Sequence, residues 1–280
     1  MKGDVSGMTV RDLIIHECRE LGISCVGFAD VSRWEQPLFE PWVPEEFFPA
    51  SIYPEAKSAI VIGLPVHLPV VESAPSIWYH EEYKTVNSLI DQHTWRIASL
   101  LNSHGYSSVS VPRDGYGSIR VLQKNPVAFF SHRHAAVIAG LGTFGRNNMV
   151  LTEQWGPRVR FGTVLTSAVI SPDPVMEKSV CTRCNACVHA CPVNALSEDD
   201  YPDSLTDKKA CADRSALLNS EQRSPCGICI RVCPVGTDRV LFDRTDTRIY
   251  NDPEKWKRYH SAWDHVRSYG SEDVTQRDKA

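Results

Sequence analysis

The sequence predicts a mixed α+β domain over residues 1–170, a smaller cysteine-rich module over 171–245 and a C-terminal helix and tail over 246–280. Helix-period and strand-like segments are mixed through the first 170 residues, and Pro172 and Pro174 then mark a shift in composition. Eight of the ten cysteines lie between Cys181 and Cys233. A mean hydropathy of -0.26 with 42% hydrophobic residues over 280 positions is enough to bury a core, and it argues against disorder.

Thr9 with Asp12 forms a helix-starting box, and Leu13, Ile14, Cys18 and Leu21 recur at helical spacing up to Gly22. Ser24–Phe28 and Ser58–Leu64 are short, rich in β-branched residues and bounded by Gly or Pro, so they read as strands joined by a proline-rich loop. Lys84–His104 places Val86, Leu89, Ile90, His93, Ile97, Leu100 and Leu101 on one helical face, with Gly105 as its C-terminal cap. Ser107–Val111, Ser118–Leu122 and Arg158–Ile170 read as further strands. Asp252-Pro253 starts a last helix carrying Trp256, Tyr259, His260, Trp263 and Val266 on one face, and disorder is expected beyond Gly270.

No stretch approaches the roughly 20 apolar residues of a membrane helix. Residues 1–25 carry Asp4, Arg11, Asp12, His16, Glu17 and Arg19 where a signal peptide would be apolar, so a cytoplasmic protein without a membrane partner is expected. A net charge of -4 lacks the basic footprint of a dedicated nucleic-acid binder. The charge is uneven, however, because Arg113, Arg120, Lys124, Arg133, Arg146, Arg158 and Arg160 face only Asp114 and Glu153 across residues 113–160. Such a segment is either a solvated basic face or the lining of a site for an anionic ligand.

In a reducing compartment a cysteine cluster holds metal more readily than disulfides. Cys181, Cys184, Cys187 and Cys191 followed by Pro192 reproduce the C-x2-C-x2-C-x3-C-P run of bacterial ferredoxins, whose fourth thiolate serves a second 4Fe-4S cluster. The second run is altered. Cys226, Cys229, Cys233 and Pro234 match its last positions, Arg223 stands at the first, and Cys211 can supply the missing thiolate. Exchange of the fourth ligands gives one cluster on Cys181, Cys184, Cys187 and Cys233, and another on Cys191, Cys211, Cys226 and Cys229. Zinc also takes four cysteines, but a zinc ribbon has no use for a third cysteine three residues on. Cys18 and Cys25 read as small core residues.

Gly140, Gly142 and Gly145 spell G-x-G-x-x-G, but no helix signal follows and no acidic residue occurs between Glu153 and Asp173, which argues against dinucleotide binding. Glycines at this density permit a tight turn or close approach to a bulky ligand.

The segment RHAAVIAGLGTFGRNNMVLTEQWGPRVRFGTVLT, followed by CTRCNACVHACP and CGICIRVCP, resembles the epoxyqueuosine reductase family and the related cores of reductive dehalogenases. The resemblance implies a nitroreductase-like core, a ferredoxin-like module with two 4Fe-4S clusters, and a cobalamin pocket lined by the glycine segment and the strand after it. Gly140, Gly142, Gly145, Arg146 and Asn147, with Arg158 and Arg160 on that strand, would then bind the corrinoid, and Tyr83 would take the place of a family tyrosine. The family's acidic proton donor has no counterpart, since residues 115–152 contain no Asp or Glu, and His132 and His134 are the substitutes in that segment. The helical-repeat extension common in tRNA-acting relatives is missing, which disfavours tRNA. The implied protein is a reductase of a small or modified substrate, fed by a low-potential ferredoxin- or flavodoxin-type donor. Its alternatives are an electron-transfer or activating protein without its own substrate, and a flavin enzyme on the same fold.

Overall fold

The computed structural model describes residues 8–35, 43–115, 117–125 and 127–269. Its strands are β1 (Cys25–Asp30), β2 (Ser58–Pro65), β3 (Ser108–Val111), β4 (Thr143–Phe144), β5 (Val150–Leu151) and β6 (Val159–Thr166). The helices of the first part are α1 (Val10–Glu20), α2 (Pro49–Ile52), α3 (Leu68–Val71), α4 (Ile77–Ser103), α5 (Ile119–Lys124) and α6 (His132–Ile138). Those of the second are α7 (Ala186–His189), α8 (Lys208–Ser220), α9 (Ile228–Arg231), α10 (Asp238–Leu241) and α11 (Lys257–Arg267).

Four strands form one antiparallel sheet in the order β1-β2-β6-β3, and β4 and β5 form a separate hairpin. The two central strands are buried along almost their whole length, which is why they read as near-continuous apolar runs. Alternate residues serve opposite faces. Ile60, Ile62 and Val164 join Ile14, Ile90, Ile97 and Leu101 beneath α1 and α4, whereas Ala59, Val61 and Leu165 join Trp34, Ala135 and Ile138 beneath α6. Gly162 lets α4 sit close, because a Cβ there would fall 2.6 Å from Ile90 Cγ2. The fold is therefore mixed α/β, with helices on both faces of a short sheet.

The sequence reading of α1 holds, with reciprocal hydrogen bonds between Thr9 and Asp12. Elsewhere local chemistry moves the boundaries. α4 begins at Ile77, not Lys84, because the Ser76 hydroxyl accepts from the Tyr79 amide and starts the helix ahead of its apolar stripe. The strand expected over Ser118–Leu122 is the helix α5, since Ser118 caps it by accepting from the Val121 amide. Short 3-10 turns (Val31–Glu35, Glu45–Phe47) and α2 fill part of the expected loop between β1 and β2. The last helix starts at Lys257, after turns over 252–256, and the tail beyond Gly270 lies outside the described residues.

The cysteine-bearing part is held on the sheet by a buried ion pair. Arg158, just before β6 and fully buried, donates from Nε and Nη2 to both carboxylate oxygens of Asp238 at 2.7 and 2.6 Å. The same guanidinium donates to the carbonyls of Val235 at 2.7 Å and Cys233 at 3.3 Å. Gly156 and Gly236 have φ of +52° and +123°, and a Cβ on Gly156 would lie 2.1 Å from the Val235 carbonyl oxygen. Arg239, equally buried, donates from Nε to the Cys233 carbonyl at 2.6 Å and from Nη1 to the Tyr250 hydroxyl at 3.0 Å. Tyr250 packs with Val232, Ile249 and Trp263 in a small core of the C-terminal part, and its hydroxyl donates to buried Glu72 at 3.2 Å. Replacing Arg158 by Ala strands the Asp238 carboxylate in the interior, so chemical denaturation should show a loss of about 3–5 kcal/mol; a loss below about 1 kcal/mol would refute this role.

Candidate functional site

The two cysteine runs fold alike. In each, the residue after the second matching cysteine adopts the left-handed conformation and opens a one-turn helix, Asn185 (φ 59°) before α7 and Gly227 (φ 69°) before α9. Only glycine suits the second position, because a Cβ on Gly227 would lie 2.6 Å from the ring of fully buried Tyr79.

Cys181, Cys184 and Cys187 line one cavity together with Cys233 from the other run. Cys211, brought in by the first turn of α8, lies within electrostatic reach of Cys191 and Cys226, and Cys229 within reach of all three. Asp207 caps α8 by accepting from the Ala210 amide at 2.9 Å. Cys229 is also within reach of Cys187, so the two runs lie side by side. Among the described residues no three His, Cys, Asp or Glu side chains converge on a point that one metal ion could fill. Burial pushes the Cys187 and Cys233 thiols up to about 11 and Cys229 higher still, so binding of a cationic iron cluster has to displace their protons. Cys18 and Cys25 are buried in the main cores, with burial pushing both thiols up to about 12.

The glycine segment is the hairpin β4–β5, not the strand-turn-helix of a dinucleotide site. Its glycines face protein. A Cβ would fall 2.2 Å from the Pro174 carbonyl oxygen at Gly140, 2.3 Å from that of Leu151 at Gly142, and 2.6 Å from Leu151 Cδ1 at Gly145. The smallness of Gly140 and Gly142 makes room for backbone carbonyls, and that of Gly145 for the Leu151 and Asn147 side chains. Arg146 is likewise engaged, donating from Nε to Asp200 at 3.0 Å and from Nη1 to the Asn185 side chain and the Arg183 carbonyl. It secures the hairpin to the first cysteine loop. Asn147 is buried in the wall of the cavity that holds Cys181 and Cys233. Arg158 belongs to the structural clamp and not to a ligand pocket.

Tyr83 and Arg160 do come together, from α4 and β6. The guanidinium lies 4.7 Å from the ring centroid and donates from Nε to the Asn87 side chain at 3.1 Å. Asp114 stands 3.9 Å from the same guanidinium. Arg133 is within electrostatic reach of Tyr83, Arg160 and Cys211, so this half-buried face adjoins the second cysteine set.

His132 and His134 are poor candidates for proton donors. His132 Nε2 donates to the Pro112 carbonyl at 3.1 Å, leaving Nδ1 to accept from Thr163 at 2.8 Å. His134 bonds Ser131 at 2.6 Å on one ring nitrogen and the Tyr201 hydroxyl on the other. Burial pushes His132 down to about 4 and His134 to about 3, so both are neutral near pH 7. Sequence reasoning missed Tyr79, Asp238 and Tyr201, which have no motif of their own and acquire meaning only through tertiary neighbours.

Residues 180–237 match the 4Fe-4S dicluster domain family, so the chain carries a dicluster iron-sulfur domain. Beyond that domain it is similar to the tetrachloroethene reductive dehalogenase of Desulfitobacterium hafniense, 28% identical over 193 residues that make up 63% of this chain and 32% of that one. It is also similar to the epoxyqueuosine reductase of Bacillus cereus, 24% identical over 79% of this chain and 63% of the relative. A solved reductive dehalogenase, described with a mechanism for B12-dependent dehalogenation, shares the fold over 94% of this chain and 37% of its own, with a TM-score of 0.62 and 20% identity. The chain spans about a third of the length of the dehalogenases it matches. None of these relatives supports the flavin alternative. No helix among the described residues is long and apolar enough to cross a membrane.

The histidines set a pH dependence. Unfolding frees them to bind protons below about pH 6.5 while the folded forms stay neutral to about 4 and 3, so the unfolded state takes up more protons in that window. Stability should fall as pH drops from 6.5 toward 4, and urea midpoints should show a shallower slope in His132→Gln combined with His134→Gln. An unchanged slope would assign the acid sensitivity to other groups.

Proposed function

We propose that the chain is a reductase in which two 4Fe-4S clusters carry single electrons from a low-potential ferredoxin- or flavodoxin-type donor to a corrinoid, which reduces a small or modified substrate. The observation that carries this reading is Cys233 standing in one cavity with Cys181, Cys184 and Cys187 while Cys191 gathers with Cys211, Cys226 and Cys229. Reciprocal exchange of the fourth thiolate keeps two clusters close, as an electron relay requires. The likeness to reductive dehalogenases and epoxyqueuosine reductases supports a reductase.

The corrinoid, when bound, supplies the electron-rich centre that attacks the substrate. Tyr83, Asn87 and Arg160 form the face best placed to receive it, next to the second cysteine set. Tyr83 Oη is the proton donor in this reading, with its ring held under the guanidinium that Asn87 fixes. The three glycines and Arg158 act behind this face as packing and clamp. The relation to epoxyqueuosine reductases keeps modified tRNA as a second candidate substrate.

Anaerobic reconstitution with iron, sulfide and cobalamin should give about eight irons per chain and a corrinoid absorbance that survives desalting. Eight irons without retained corrinoid would favour an electron-transfer protein lacking its own substrate, and stoichiometric zinc without iron would overturn the cluster reading. Cys191→Ala should halve the iron by removing the cluster on Cys211, Cys226 and Cys229. Loss of the other cluster alone would reverse the ligand assignment.

A further inference from the structure

The cavity lined by Cys181, Cys184, Cys187 and Cys233 also has polar residues in its wall, Asn147 among them. Asn147, in the turn between β4 and β5, reaches this cavity with only 5% of its surface exposed. Its amide orientation is determined by the backbone, because Oδ1 accepts from the Met149 amide at 3.1 Å. The Nδ2 end therefore points away from that bond, and it is buried with no hydrogen-bond partner. An interior N–H without an acceptor costs about 1–3 kcal/mol, so it calls for an acceptor not made of protein.

The turn is built to hold that amide in place. Gly145 donates to the Met149 carbonyl at 2.9 Å, and the Asn148 amide donates to the Gly145 carbonyl at 2.8 Å. The neighbouring Asn148 side chain accepts from the Thr206 amide at 2.8 Å, tying the turn to the chain between the two cysteine runs. Gly145 has room for no side chain, since a Cβ would stand 3.0 Å from Asn147 Oδ1 and 2.6 Å from Leu151 Cδ1. Next to it, Arg146 ties the turn to Asn185 and Asp200 of the first cysteine loop. Asn148, by contrast, has both ends of its side chain bonded to protein. Asn147 thus keeps a buried, unpartnered side-chain donor in the wall of the cavity lined by Cys181, Cys184, Cys187 and Cys233.

We propose that Asn147 Nδ2–H donates a hydrogen bond to a sulfur atom of the 4Fe-4S cluster on Cys181, Cys184, Cys187 and Cys233, and thereby raises its reduction potential above that of an undonated cluster. This rests on the cluster reading above and extends it to a residue outside every cysteine motif. Reduction adds negative charge to the cluster, and a fixed N–H dipole directed at sulfur stabilises the reduced form more than the oxidised one. A gap in potential between the two clusters gives the relay a direction.

The test uses full-length, anaerobically reconstituted protein. Asn147→Leu removes the donor at similar size and no charge, and Asn147→Ser keeps a side-chain oxygen for the Met149 amide without an amide N–H. In EPR-monitored redox titrations both variants should hold about eight irons and show a lower midpoint potential for one cluster, the other being unchanged. Pulsed EPR of the reduced wild type labelled with 15N-asparagine should show a nitrogen coupling to that cluster, absent from both variants. Unchanged midpoints at full iron content would overturn the proposal. Should either variant fail to load iron, the wild-type coupling decides, and its absence would overturn the proposal equally. A wild type that takes up no iron would overturn the cluster reading itself, an outcome distinguishable from loss of the hydrogen bond.

Discussion

The bidentate pair between Arg158 and Asp238 is the constraint on which the rest depends. A charge taken wholly out of water has to be matched by another charge and by hydrogen bonds, or it destabilises the fold by several kcal/mol. Arg158 meets that demand with one carboxylate and with the backbone carbonyls that follow the last cysteine. The start of the central strand β6 and the second cysteine run are thereby fixed to each other in one geometry. Arg239, also buried, donates to the same Cys233 carbonyl and is satisfied by further carbonyls and the Tyr250 hydroxyl. The backbone of Cys233 is held by two buried arginines, although it is the cysteine farthest along the chain from its cavity partners.

Much of this architecture was legible in the residues. Repetitive patterns came through best: the Thr9–Asp12 box, the β-branched runs of the strands and the long stripe of α4 all fold as written. The dicluster iron-sulfur domain was legible too, because thiolate spacing is dictated by the size and shape of a cluster and depends little on the surrounding fold. What failed was local and short. Ser118 heads a six-residue segment whose valine and isoleucine suggest a strand, yet one side-chain hydrogen bond turns it into a helix. Ser76 likewise starts α4 before any apolar periodicity is visible.

The residues around the proposed acceptor were harder to read for a different reason. A glycine or an arginine carries the same signal whether it meets a ligand or another part of the chain. Gly140 and Gly142 make room for carbonyl oxygens of Pro174 and Leu151, and Arg158 serves a carboxylate eighty residues further on. The two histidines sit in a segment lacking carboxylates, which made them candidates, but each ring is satisfied on both nitrogens and kept neutral by burial. Tyr83 and Arg160 stayed together because they occupy regular elements, α4 and β6, whose packing fixes which side chains share a face.

The cavity shared by Cys181, Cys184, Cys187 and Cys233 also bears on how the molecule comes into being. Its last wall is synthesised about fifty residues after its first, and the companion set is interleaved within that interval. The cavity of the first run cannot close on the ribosome before nearly the whole second run has emerged. A nascent chain arrested before Cys233 would present Cys181, Cys184 and Cys187 without the fourth thiol of their cavity.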